Sequence, residues 1–233
     1  MSRSQSLTPL LAVLQFADGL FPSGGFAHSF GLETYAQAEM IRDAGGLESF
    51  VGVHLEGSAG PADAVLAAVA ARAGIGGDLD ACVALDRRLD AMKTVPEFRA
   101  ASRQMGRQTA RAAAALDGDG FAGSLARAID DELTPGHHAA VFGAVTGRAG
   151  ASPETAATAF LYSTAALLVG AGLRLLSIGQ LEGQRVLAAM RGPIARLARA
   201  AAAAEVDDLW SFTPGLEVAG LRHAELDRRL FRS

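Results

Sequence analysis

The chain has 233 residues, 50% apolar and 6% aromatic, and this length can bury one large core without disulfides or metals. Its formal charge of −4 argues against a nucleic-acid-binding domain, which needs a clearly basic surface. The single cysteine, Cys82, lies in a stretch of helical apolar spacing, which predicts a buried thiol and suits a reducing, cytoplasmic compartment.

The N-terminal part of the sequence predicts two helices separated by an apolar loop. Apolar residues repeat with helical spacing over residues 10–17, and a second helix is expected over residues 27–40. Between them, residues 21–26 (Phe-Pro-Ser-Gly-Gly-Phe) cannot continue a helix, because proline lacks the backbone donor and the two glycines are flexible. Since this loop is apolar, Phe21 and Phe26 are candidate anchors for a partner or lids on the core.

Two further candidates for partner contact, Glu33 and Tyr35, lie on the second predicted helix. Both are expected on its first exposed turns, and tyrosine is enriched at protein interfaces. Packing of the loop is the alternative role for both residues.

The remaining sequence alternates apolar periodic segments with proline and glycine breaks. Pro61, Pro96 and the run Ser152-Pro153-Glu154 are typical helix starts, and Gly192-Pro193 is expected to separate two helices. These signals predict helices over residues 47–55, 61–71, 79–92, 96–116, 121–132, 138–148, 153–177, 181–190 and 194–204.

The alanine- and leucine-rich composition, poor in strand formers, predicts an all-α fold. We expect a single orthogonal helical domain of about ten helices over residues 1–205. Residues 206–233 are charged and end in a short amphipathic run over 216–231, which predicts a tail that becomes ordered on binding a partner. The apolar stretch 159–173 is shorter than the ~20 residues of a bilayer span and is expected to be a core helix.

The sequence contains no recognisable catalytic motif. Its only lysine, Lys93, lies outside any glycine-rich loop, so a P-loop is excluded. Residues 118–123 match G-x-G-x-x-G but follow a predicted helix, and we interpret them as a turn. No two of the five histidines have the spacing of a zinc site, which predicts packing or capping roles, although a distant third ligand stays open. We therefore predict neither an enzyme nor a cofactor or metal site in this chain.

Four segments, taken together, resemble the UreF family of urease accessory proteins. Residues 21–33 are similar to the family's Pro-x-Gly-Gly-Phe loop followed by a Gly-Leu-Glu helix, which is the most specific of the four. Residues 97–108 are similar to a Glu-x-Arg-x-Ala-Ser-x-x-x-Gly-Arg-Gln helix. The others are residues 138–143 with Arg174-Leu175 and the Gly179 to Gln184 run, and the terminal Arg-Leu-Phe-Arg-Ser.

The resemblance implies a helical homodimer that binds a second accessory protein, UreD (also called UreH). Through that complex it would recruit the GTPase UreG, modulate its activity and support delivery of nickel to the urease apoprotein. Neither hydrolysis nor a cofactor is implied for this chain itself, and nickel would be handled by the complex.

Two groups of basic residues are further candidates for partner contact. Arg99, Arg103, Arg107 and Arg111 recur every four residues and form a ridge on one helix; few acids lie at matching i±4 positions, so a solvated face and a partner contact are both open. In the tail, Arg229, Leu230 and Phe231 suit a segment that docks on UreD, with packing on its own domain as the alternative.

Two other functional classes compete with the assembly factor. The first is a helical regulatory or ligand-binding domain with an apolar pocket, but the N-terminal region has no basic recognition helix. The second is a helical enzyme that gathers distant carboxylates, which a metal analysis of the purified protein would reveal.

Overall fold

The structure is a computed structural model that describes residues 7–117 and 120–233, and its regular elements are helices. The α-helices are α1 (Leu7–Ala17), α2 (Leu32–Gln37), α3 (Ala44–His54), α4 (Val65–Gly76), α5 (Leu79–Met92), α6 (Pro96–Asp117), α7 (Phe121–Asp130), α8 (His138–Arg148), α9 (Pro153–Leu175), α10 (Gln180–Ala203) and α11 (Pro214–His223). No strand occurs in the described ranges, and the predicted all-α domain of about ten helices is confirmed.

The core is centred on α4 and α8, whose backbones touch. A Cβ added at Gly143 would lie 2.2 Å from the carbonyl oxygen of Ala67, and one at Gly147 would lie 2.2 Å from that of Ala71. Glycine and alanine therefore let the two helices approach more closely than larger side chains would permit. The long helix α9 packs beside them and against α10.

The predicted helix start at Pro61 is wrong, because α3 continues into α4 through a π-helical segment, Leu55–Ala64, that contains this proline. A π-helix would need the N–H of residue 61 to donate to the carbonyl of Glu56, and proline has none. The N–H of Phe212 donates to the neighbouring carbonyl, that of Gly57, at 2.8 Å. A segment from the far end of the chain is thus bonded to the helix beside its internal proline.

The predicted break at Gly192-Pro193 is also wrong. Helix α10 runs through Pro193 without interruption. Met190 and Ile194, one turn apart, are both buried, so continuing the helix keeps its apolar face on the core and outweighs the lost hydrogen bond.

The second helix is shorter than predicted. It begins at Leu32 rather than residue 27, because Phe30 and Gly31 have positive φ angles of 51° and 89°, which no α-helix contains. Helix α3 begins at Ala44, capped by the Asp43 carboxylate, so the glycine pair at 45–46 lies in its first turn instead of ending α2.

The tail packs on the domain. Helix α11 contacts α2 and α6. Only the first part of the predicted amphipathic run is helical: the helix ends at His223, and turns follow it. Leu216, His223 and Phe231 are buried. Dependence of this order on a partner stays a prediction.

Helix α9 is longer than the apolar stretch that predicted it. By length and composition this 23-residue helix could cross a bilayer, but half of its most apolar 18-residue stretch is buried inside the domain. It occupies the position of the predicted core helix, with Phe160, Leu161 and Leu168 buried.

Candidate functional site: the loop–tail junction

The apolar loop and the C-terminal end are bonded to each other through their backbones, and we call residues 21–33 with 228–233 the loop–tail junction. The N–H of Arg232 donates to the carbonyl of Ala27 at 2.8 Å. The Ser233 carbonyl oxygen accepts from the N–H groups of Ser29 and Phe30, at 2.7 and 3.1 Å, and from the Ser29 hydroxyl at 2.8 Å. Two segments that are 200 residues apart therefore form one surface.

The carboxylate of Glu33 holds the tail in this position. Its oxygens accept hydrogen bonds from the backbone N–H groups of Leu230, at 2.7 Å, and Phe231, at 3.0 Å. Glu33 is only 1% exposed, so the expectation that it lies on an exposed turn is wrong. Because a buried carboxylate is costly without donors, these contacts make Glu33 a receptor for the tail backbone.

His223 bridges two carboxylates beneath the junction. Its Nε2 lies 3.0 Å from Glu33 Oε2, and its Nδ1 lies 2.7 Å from Glu97 Oε2. A neutral imidazole has one donor, so two carboxylate acceptors require either the imidazolium form or a proton on one carboxyl group. Arg229 adds a further donor to Glu97, at 3.1 Å. The tail is therefore attached to α2 and α6 by charge-assisted hydrogen bonds.

Arg174 joins the junction to the long helix α9. Its Nη2 donates to the carbonyl of Phe26 at 2.5 Å, and its guanidinium carbon lies 4.1 Å from the centroid of the Phe231 ring. Burial lowers the pKa of this guanidinium below its usual value. One side chain thus contacts both the loop and the tail, by a hydrogen bond and a cation–π contact.

The predicted contact residues around the junction divide into buried and exposed groups. Phe21, Glu33 and Phe231 are buried in the chain, so they are not available to a partner in this arrangement. Phe26 and Leu230 are 74% and 60% exposed, and these are the apolar side chains that the junction presents to solvent.

Tyr35 and Arg229 occupy intermediate positions. Tyr35 is half-buried, with its ring centroid 5.8 Å from that of Phe50. The Arg229 side chain remains 44% exposed while it pairs with Glu97.

Three residues that contact the junction were missed as site residues. Glu97 and Arg174 lie inside segments that resemble a known family, and this resemblance could have identified them as site residues. His223 has no local signal, because its partners are 126 and 190 residues away in the chain.

The arginine ridge on α6 lies apart from the junction, and most of its charge is used within the chain. Arg103 pairs with Asp90 at 2.5 Å and Arg111 with Asp130 at 2.8 Å, so the interpretation that the ridge lacks acid partners is wrong for these two. The acids come from α5 and α7, which spacing along α6 could not show. Arg99 donates to the Lys93 carbonyl, at 2.7 Å.

Arg107 is the exposed member of the ridge without an ion pair in the described part of the chain. We expect Arg107→Ala to weaken binding of a partner protein with little change in stability, because no internal contact is lost. Arg103→Ala, the matched control, should lower the unfolding free energy, since it leaves Asp90 beside His137 without its guanidinium. Urea unfolding and pull-down of both variants would separate the two roles; equal binding by Arg107→Ala would remove this residue from the interface.

The helix that carries the ridge is fixed by a second buried polar cluster. The Ser102 hydroxyl is 3.0 Å from His137 Nδ1, while His137 Nε2 is 2.8 Å from Asp90. Although burial alone would raise it, the pKa of Asp90 lies below its usual value because His137 and Arg103 hydrogen-bond to the carboxylate. A Cβ at Gly106 would lie 2.1 Å from the Gly136 carbonyl oxygen, so this glycine permits close helix packing.

Burial lowers the pKa of three histidines, His28, His54 and His138, to about 4 each. For His54 burial dominates, Asp63 opposes it and Lys93 adds to it. The unfolded chain binds a proton near pH 6.5, whereas folded His54 stays neutral until about pH 4. Stability is therefore complete above pH 6.5 and is lost as the pH falls towards 4.

Between pH 6.5 and about pH 4, we expect protonation of His54 alone to lower the unfolding free energy by about 3 kcal/mol. Urea unfolding at a series of pH values checks this, and His54→Gln should make the profile less steep without flattening it, because burial lowers the pKa of His28 and His138 as well. An unchanged slope in the variant would show that other groups cause the acid sensitivity.

Within the described ranges, no three His, Cys, Asp or Glu side chains are grouped so that they could hold a metal ion. Burial raises the pKa of the Cys82 thiol to about 12, which disfavours the thiolate that metals bind. The glycine pattern 118–123 falls partly outside the described residues.

Comparison with known proteins gives consistent matches. A family model described as UreF matches residues 41–191. The chain is 36% identical to the urease accessory protein UreF of Rhizobium leguminosarum bv. viciae, over the whole length of both chains. It is 32% identical to the protein of that name from Bacillus sp. (strain TB-90), covering 96% of this chain and 99% of the relative. Trichodesmium erythraeum (strain IMS101) has a relative of the same name at 28% identity, covering 98% of each.

Proposed function

This chain belongs to the UreF family of urease accessory proteins, and we propose that it acts as a non-catalytic helical adaptor in urease maturation. In this proposal it binds UreD/UreH, recruits the GTPase UreG, modulates its activity and supports nickel insertion into the urease apoprotein. It works in the cytoplasm as a homodimer, needs no cofactor and passes on nickel only as cargo of the complex.

The observation that carries the proposal is the loop–tail junction. Two apolar side chains, Phe26 and Leu230, are exposed there on segments whose backbones are held by buried contacts to Glu33 and Ser233. Anchors that are already ordered lose less conformational entropy on binding, which favours their use at an interface. We assign this surface to UreD/UreH, and the exposed Arg107 to a separate contact on α6.

The proposed adaptor is tested by reconstitution. UreD, UreG and urease apoprotein of the same source are mixed with nickel, bicarbonate and GTP, with and without this chain, and urease activity is measured. The proposal expects activation only with the chain present, and co-purification of the chain with UreD. Full activation in its absence would overturn the function.

The contribution of the junction is tested separately. Phe26→Ala combined with Leu230→Ala should abolish co-purification with UreD while leaving the unfolding free energy nearly unchanged, because both side chains are exposed. Leu133→Ala, which removes a side chain that is 55% exposed elsewhere, is the matched control.

A further inference from the structure

The imidazole of His223 is shared by two carboxylates that each hold the C-terminal tail. One of them, Glu33 on α2, lies 3.0 Å from His223 Nε2 and accepts the backbone N–H groups of residues 230 and 231. The other, Glu97 on α6, lies 2.7 Å from His223 Nδ1 and pairs with Arg229. We call these three side chains, His223, Glu33 and Glu97, the His223 cluster.

The His223 cluster needs one proton beyond those of a neutral imidazole and two ionised carboxylates. A neutral imidazole donates from one nitrogen and presents a lone pair at the other, whereas the imidazolium donates from both. With the extra proton, the charges of the cluster and of the Arg229 guanidinium sum to zero. Because His223 and Glu33 are buried, loss of that proton leaves a negative charge that water does not compensate.

Other titratable or charged groups on the packed elements make different contacts. Tyr35 of α2 lies against α11 at Gly215, and Arg99 of α6 donates to a backbone carbonyl. Glu217 of α11 lines a small cavity. The remaining charged side chains of residues 222–233 are exposed: Arg222, Glu225, Asp227, Arg228 and Arg232. The proton requirement therefore belongs to the cluster itself.

A second histidine, His28, is also bonded to the tail. Its Nδ1 lies 2.9 Å from the Ser233 hydroxyl oxygen. Burial and, to a smaller extent, the charge of Arg232 lower the pKa of His28 to about 4, so this ring is neutral at higher pH. A change in the tail above neutral pH would therefore not come from His28.

We propose that the extra proton of the His223 cluster controls whether the C-terminal tail stays bound to the domain. As the pH rises, the cluster releases one proton to solvent, and the neutral ring keeps a hydrogen bond to only one carboxylate. If the ring donates to Glu97, its lone pair faces Glu33 and weakens the contact with residues 230 and 231. If it donates to Glu33, Glu97 is displaced together with Arg229. Either tautomer loosens the tail.

Hydrogen exchange of the full chain, measured from about pH 6 to about pH 9, tests this inference. The exchange rates of amides 230 and 231 are divided by their intrinsic rates at each pH, which gives protection factors. We expect these factors to fall by up to tenfold per pH unit where opening releases the proton, and to be at least about tenfold lower at the alkaline end. Constant protection factors would refute the inference.

Two variants of the cluster should change the pH profile in opposite ways. Glu97→Gln leaves one carboxylate, and its amide can donate to the ring nitrogen that a neutral imidazole leaves open, so the tail should stay protected at about pH 9. His223→Gln cannot carry the proton, so the tail should be weakly protected already at about pH 6. Contacts with a purely structural role would loosen the tail in both variants, equally at every pH.

His28→Gln is the matched control, because it changes the other histidine bonded to the tail and leaves the cluster intact. It should keep the alkaline loss of protection. The same alkaline loss in Glu97→Gln as in the wild type would overturn the inference and assign the control to a group outside the cluster. Since Glu97→Gln is expected to retain the tail, this outcome can be read even if His223→Gln does not fold. The measurements involve no partner, so they are independent of the proposed function.

Discussion

Replacement of Glu33 by alanine is expected to release the C-terminal tail from the domain. The change removes the acceptor of two backbone N–H groups, from Leu230 and Phe231, and one carboxylate partner of His223. Breaking such a buried charge-assisted contact costs about 3–5 kcal/mol, because the remaining groups stay buried without partners. Urea unfolding measures the loss, and hydrogen exchange should show new exposure of the amides of residues 230 and 231.

Glu48→Ala is the matched control for this change. Glu48 is exposed on α3, and its removal should alter the unfolding free energy by less than about 0.5 kcal/mol. If Glu33→Ala unfolds like the wild type and the two amides exchange freely in both proteins, the junction does not form in solution.

The same variant connects stability to function. The position of Leu230 depends on the hydrogen bond between its own N–H and Glu33. Releasing the tail therefore also displaces Leu230, one of the two proposed apolar anchors. Binding of UreD should therefore weaken in Glu33→Ala as in the Phe26/Leu230 double variant, but with a loss of stability that the double variant lacks.

The segments that resemble UreF are those that meet in space. Glu33, from the loop segment, and Glu97, from the α6 segment, share His223, while Arg174, from the third segment, contacts Phe26 and Phe231. Sequence could therefore point to the right neighbourhood. It could not show that Glu33 is buried, because the donors that make burial tolerable come from residues about 200 positions away.

Helix ends set by local chemistry were predictable, and those set by tertiary contacts were not. Ser152 caps α9 through the N–H of Thr155, as its sequence indicates. Pro61 and Pro193, by contrast, lie inside helices. The helix around Pro61 takes the π form and is bonded to Phe212 through the carbonyl of Gly57, and buried apolar residues continue the helix around Pro193. Local helix propensity predicts the end of a helix correctly only where no tertiary contact compensates for the proline.

The second large effect is expected at Gly143 of α8, where the backbones of α4 and α8 touch. Gly143→Ala would place a Cβ 2.2 Å from the Ala67 carbonyl oxygen, well inside contact distance, so α4 and α8 must move apart. We expect the unfolding free energy to fall by about 3 kcal/mol, because a rigid backbone atom cannot rotate away as a side chain could.

Gly170→Ala on α9 provides the matched comparison, since an added Cβ meets nothing within 4 Å there. This change should raise the unfolding free energy by up to about 1 kcal/mol, because alanine favours helix more than glycine. Urea titration of both variants should thus give shifts of opposite sign. A rise in both would mean that helix propensity, rather than contact between the backbones of α4 and α8, decides the effect of a methyl group at these positions.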